Sequence, residues 1–162
     1  MTEDINNLAQ ILGGQLLAKG WHISCAESCT GGGVGFAITS TAGSSQWFEK
    51  GFITYSNEAK QAMLGVQQNT LIEYGAVSAQ TVEEMARGAA QQASANVAIS
   101  VSGIAGPDGG TADKPVGTVW FGFFVRDQVV TKKQQFNGGR EAVRMKAIEF
   151  ALSNTVKLLK TA

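Results

Sequence analysis

The segment Val97-Ala98-Ile99-Ser100-Val101 carries one small polar side chain in five residues. A strand this apolar has no face to give to solvent, so it belongs in a sheet covered on both sides. Strand-like and helix-like stretches alternate around it. Ile5, Leu8, Ile11, Leu12, Leu16 and Leu17 fall close to helical spacing, and the pattern stops at Gly20. Residues 21–26 alternate like a short strand, and a helix is expected near 32–40. Gly33 and Gly35 either weaken that helix by about 1 kcal/mol each against alanine or permit close backbone approach. Residues 51–56 read as a second strand, after which Asn57 is the expected N-cap of a helix over 58–64. A small helix over 69–74 follows, then a longer one over 79–93 capped by Ser78, with Glu83 and Glu84 favouring its dipole. Stretches 117–125 and 129–136 pair as a hairpin across Arg126-Asp127-Gln128, and Asn137-Gly138-Gly139 turns into a closing helix over 140–160. This order predicts one α/β domain over 1–162, a three-layer α/β/α arrangement around a mixed sheet.

Charge and residue usage exclude several classes of function. Thirteen basic and thirteen acidic side chains balance to zero, so no basic excess points to nucleic acid. Lys132, Lys133, Arg140, Arg144 and Lys146 lie close in sequence and read mostly as solvated surface. Met1-Thr2-Glu3-Asp4 lacks the basic start of a signal peptide, and no apolar run approaches the ~20 residues that cross a bilayer. A cytoplasmic protein with no membrane partner is expected. Cys25 and Cys29 read as reduced core residues; a redox pair is the alternative, without C-x-x-C spacing. The single histidine, His22, lies six residues before Ser28, roughly 20 Å away along an extended strand. It cannot readily serve Ser28 as a base, and with Cys25 and Cys29 it makes a poor zinc site, so no metal is expected.

Chemistry is concentrated where strands break into polar turns. Ala26-Glu27-Ser28-Cys29-Thr30-Gly31-Gly32 places a hydroxyl and several free N–H groups at one point, which suits an anion site or a serine nucleophile with an oxyanion hole. Ligands gather outside the carboxyl ends of strands in open α/β sheets, so Ser28, Tyr55, Lys60 and Ser102 are candidates for one pocket. Lys60, among apolar neighbours Ala59, Met63 and Leu64, acts as a base only if its pKa is lowered. Otherwise it is a solvated helix residue and Ser28 a cap. Glu27 is either an orienting group for Lys60 or a substrate, or a surface acid beside the turn. The long loop Ser102-Gly103-Ile104-Ala105-Gly106-Pro107-Asp108-Gly109-Gly110 has free N–H groups that can cradle an anion, or it is simply long and polar.

The first of these turns, Gly51-Phe52-Ile53-Thr54-Tyr55-Ser56-Asn57-Glu58-Ala59-Lys60, Gly75-Ala76-Val77-Ser78, the long loop, and Lys114-Pro115-Val116-Gly117-Thr118-Val119 occur here in order. Together they resemble the CinA C-terminal domain family over almost the whole chain. The resemblance implies hydrolysis of the carboxamide of nicotinamide mononucleotide to nicotinate mononucleotide and ammonia, with no metal or cofactor. It implies Ser28 as nucleophile, Lys60 as general base, and Tyr55 assisting by a hydrogen bond to Ser28 or Lys60. The N–H groups of Thr30 and Gly31 are the expected oxyanion hole. Ser102, Gly103 and Gly106 are expected to hold the nucleotide, with Arg140 or Arg144 on its phosphate. A non-catalytic nucleotide-binding module and an amidase for another small amide remain alternatives. A homo-oligomer, a dimer above all, is suggested by the apolar stretch 119–125. The family commonly has an acid just before the arginine that opens the last helix; here Gly138-Gly139 precedes Arg140, which bears on the cap of that helix.

Overall fold

The computed structural model describes residues 1–162. Strands β1 (Ile23–Glu27), β2 (Phe52–Ile53), β3 (Val97–Gly103), β4 (Thr118–Val125) and β5 (Gln128–Gln135) form one sheet in the order β2-β1-β3-β4-β5. β1 runs parallel to both β2 and β3, while β4 and β5 are antiparallel additions. The sheet is mixed, as expected. Helices α1 (Glu3–Lys19), α2 (Gly33–Ile38) and α6 (Arg140–Leu159) cover one face; α3 (Asn57–Leu64), α4 (Gln68–Tyr74) and α5 (Ala79–Ala93) cover the other.

The two faces pack differently because β-strand side chains alternate. Ile23, Cys25, Val97, Ile99, Val101, Val119, Phe121 and Phe123 meet α1, α2 and α6 in the larger core. Toward α5 the sheet presents Ala26, Ala98, Ser100 and Gly122, small enough for the helix backbone to approach closely. The Ser100 hydroxyl donates to the Val82 carbonyl of α5 across that gap. Gly88 sits where α5 crosses α3, and a Cβ there would fall 2.1 Å from the Leu64 carbonyl oxygen.

Several local expectations are refined. β1 does not alternate in burial: all five residues are buried, because both faces of this central strand carry helices. The second strand shrinks to two residues, since the chain leaves the sheet just beyond Thr54, whose N–H donates to the Glu27 carbonyl at 2.7 Å. The cap of α3 is Ser56 rather than Asn57; its hydroxyl accepts from the Ala59 N–H at 3.0 Å. Ser78 caps α5 as expected. Gly33 permits close approach, since a Cβ there would meet the Ile148 side chain of α6 at 2.4 Å. Val119, Phe121, Phe123 and Phe124 are all buried within the chain, so this stretch supplies core and no argument for a dimer. No helix is long and apolar enough to cross a membrane.

Candidate active site

Ser28 follows directly on β1, at the carboxyl end of the central parallel strands, where β2 and β3 diverge to either side. Its N–H donates to the Val101 carbonyl of β3 at 3.0 Å, which fixes its backbone against the neighbouring strand. Lys60 reaches it from the first turns of α3. The Lys60 Nζ lies 3.1 Å from Ser28 Oγ and donates to the Thr54 carbonyl at 3.0 Å and the Tyr55 carbonyl at 3.5 Å. Lys60 is 1% exposed, and the only ion pair in the chain joins Arg87 and Glu83 elsewhere. Burial without an acid lowers the Lys60 pKa from 10.5, because a low-dielectric site disfavours the charged amine.

The turn after Ser28 is heavily tied. The Gly31 N–H donates back to the Ser28 carbonyl at 3.0 Å, so it is not free for an oxyanion. The N–H groups of Cys29 and Thr30 donate to no carbonyl or side-chain oxygen. Cys29 is buried, which pushes its thiol up to about 11. Glu27 is neither a partner of Lys60 nor a surface acid. It is 1% exposed and accepts from the Val34 and Gly35 N–H groups at 2.8 and 2.9 Å. Both cysteines are free. His22 is exposed at the opposite end of β1 from Ser28.

A cavity of about 300 Å³ opens over this pair, lined among others by Ser28, Tyr55, Lys60, Ser102, Gly103, Gly106 and Arg140. Ser102 is 1% exposed and lies at the end of β3 in the wall of this cavity. Two expected residues stand differently. The Tyr55 phenol is not bonded to Ser28 or Lys60; its oxygen accepts from Arg140 Nη2 at 3.0 Å, and only the Tyr55 backbone carbonyl meets Lys60. Arg140 Nη1 also donates to the Gly106 carbonyl at 2.9 Å, so this arginine spans the rim between two loops. Arg144, Thr30 and Gly31 are outside this cavity and, with Arg140, line a neighbouring one of about 700 Å³; Arg144 Nε donates to the Cys29 carbonyl at 3.1 Å and its Nη2 to the Thr30 carbonyl at 3.5 Å. α6 begins at Arg140 behind Gly139, with no side-chain cap.

Residues 5–159 match the family model of the CinA C-terminal domain. The chain belongs to the CinA C-terminal domain family. Among its relatives, the nicotinamide-nucleotide amidohydrolase PncC of Enterobacter agglomerans is 58% identical over 154 residues, 94% of either chain. The protein of the same name from Escherichia coli K12 is 53% identical, covering 92% of this chain and 91% of its own. The crystal structure of the competence/damage inducible protein CihA from Agrobacterium tumefaciens matches with a TM-score of 0.95 at 42% identity, covering 98% of this chain and 97% of its own.

Within this CinA-family chain, sequence reasoning missed Thr54, whose carbonyl orients Lys60, and the lining residues Asn57, Ala76 and Val77. The Gly75-Ala76-Val77-Ser78 block was visible as a motif but carried no chemical signal, since it contributes shape rather than a reacting group. No three His, Cys, Asp or Glu residues gather where a metal ion could be held.

Proposed function

We propose that the chain is an amidohydrolase that converts nicotinamide mononucleotide to nicotinate mononucleotide and ammonia, as one catalytic unit over residues 1–162 in cytoplasmic pyridine-nucleotide recycling. The observation that carries this reading is the buried Lys60 amine, without an acidic partner, 3.1 Å from the Ser28 hydroxyl. The names of the PncC relatives give the substrate class.

Two N–H bonds of a neutral Lys60 amine go to the Thr54 and Tyr55 carbonyls, which aims its lone pair at Ser28 Oγ. Lys60 takes the Ser28 proton as Oγ attacks the carboxamide carbon, forming the C–O bond and a tetrahedral oxyanion. The N–H groups of Cys29 and Thr30, which no protein oxygen accepts, are the donors this turn offers to that oxyanion. Lys60 then returns its proton to the amide nitrogen as the C–N bond breaks and ammonia leaves. Water, deprotonated by the same amine, attacks the Ser28 ester, and the proton passes back to Oγ as the acid departs. Ser102, Gly103 and Gly106 hold the nucleotide, and Arg140, steadied by the Tyr55 phenol, takes the phosphate.

The test is ammonia release from nicotinamide mononucleotide beside free nicotinamide and other small amides. Release from the nucleotide at a rate far above the others supports the reading. Nucleotide binding without release favours a binding module, and faster release from another amide reassigns the substrate.

A further inference from the structure

Glu27 is a buried acid that the steps above leave without a part. Its Oε1 accepts from the Thr30 hydroxyl and, at 2.8 Å, from the Val34 N–H; its Oε2 accepts from the Gly35 N–H at 2.9 Å and the Cys25 thiol at 3.6 Å. One side chain thus ties the end of β1 to the first turn of α2 and to Thr30. Arg144 grips the same turn by other atoms, the carbonyls of Cys29 and Thr30. A trans peptide unit points its C=O and N–H in opposite directions. Holding the Cys29 carbonyl against Arg144 therefore turns the Thr30 N–H away from Arg144, and that N–H has no acceptor in the protein.

We propose that Glu27 is the positioning residue of the oxyanion turn: together with Arg144, it locks Thr30 in the orientation in which its N–H meets the developing oxyanion. This role rests on the serine-amidase reading above. Preorganised donors stabilise a transition state because they need no reorientation when charge develops. The chemistry requires two acceptor oxygens. A glutamine offers one acceptor and one amide donor, so in Glu27→Gln either the Val34 or the Gly35 N–H faces another donor. Glu27 shares no hydrogen bond with the base: Lys60 Nζ meets Ser28, Thr54 and Tyr55, and Glu27 meets Cys25, Thr30, Val34 and Gly35.

The experiment measures ammonia release from nicotinamide mononucleotide, its pH profile, and calorimetric binding of nicotinate mononucleotide for wild type, Glu27→Gln, Thr30→Val and Thr30→Ser. Glu27→Gln is expected to lower kcat about 100-fold, with KM and product affinity within about threefold, because a small misplacement of a catalytic donor costs rate rather than binding. Thr30→Val should lose about tenfold in kcat, and Thr30→Ser, which restores the hydroxyl, should recover most of that loss. The acid limb of the profile stays in place. A Glu27→Gln kcat near wild type, a loss of product affinity equal to the loss of kcat, or a displaced acid limb overturns the role. If Glu27→Gln does not fold, the Thr30 pair decides, and equal rates for valine and serine overturn it. No turnover by the wild type refutes the amidase reading and this role with it; normal wild-type turnover with an unaffected Glu27→Gln refutes only the role.

Discussion

Lys60 Nζ lies 3.1 Å from Ser28 Oγ across a sequence separation of 32 residues. The sheet makes the meeting. β1 and β2 pair in parallel, the pairing ends with the Thr54 N–H on the Glu27 carbonyl, and the Thr54 carbonyl then receives Lys60 from the helix that follows. Ser28 is held from the other side by β3 through the Val101 carbonyl. The nucleophile candidate and the base candidate are thus set by backbone bonds of three adjacent strands rather than by flexible side chains.

Lys60→Arg is expected to lose about 1,000-fold in kcat, since arginine stays protonated and cannot accept the Ser28 proton. Wild-type activity should rise with pH through the Lys60 pKa, at a midpoint below 10.5. The stability sign follows from the same depression. Between the folded pKa and 10.5 the unfolded chain binds more protons, so stability rises with pH across that window. Melting curves of wild type against Lys60→Met should move in favour of wild type as pH climbs through it. A constant gap contradicts this assignment.

Arg140→Ala should raise KM for nicotinamide mononucleotide about tenfold or more while changing the rate on nicotinamide riboside, which lacks the phosphate, by less than about threefold. Steady-state kinetics on the two substrates check it. Equal losses on both would remove the phosphate from the role of Arg140.

Gly88→Ala reverses the usual rule for a helix interior. Propensity alone favours alanine by about 1 kcal/mol, but the new Cβ would fall 2.1 Å from the Leu64 carbonyl oxygen, a backbone atom that cannot swing aside. The expected result is a net loss of about 2 kcal/mol in urea unfolding. A stabilised variant would mean that α3 and α5 separate freely.

The parts of this molecule written in local sequence were legible, and those written across the fold were not. The Ser78 cap, the hairpin and the apolar β3 each depend on neighbours in sequence; the cap appears where expected, while Gln128 belongs to β5 rather than the turn and β3 runs on through Ser102 and Gly103. Ser28 and Lys60 were identifiable as candidates, but their distance depends on β1–β2 pairing. The contacts of Glu27 and Arg144 were not legible because their partners are mostly backbone groups of α2 and of the turn, which leave no side-chain pattern to read. The Tyr55 phenol pairs with Arg140, 85 residues away, so no spacing rule could find it. Residues 51–56 have strand-like side chains, but the chain leaves the sheet after the Thr54 N–H bond to the Glu27 carbonyl, and Ser56 already caps α3.

The most direct measurement compares ammonia release from nicotinamide mononucleotide by wild type and Ser28→Ala, with nicotinate mononucleotide binding confirmed for both by calorimetry. The account predicts turnover by the wild type, a loss of at least about 1,000-fold in Ser28→Ala, and product affinity retained by the variant. Turnover by Ser28→Ala at the wild-type rate, with the product bound equally well, would contradict it.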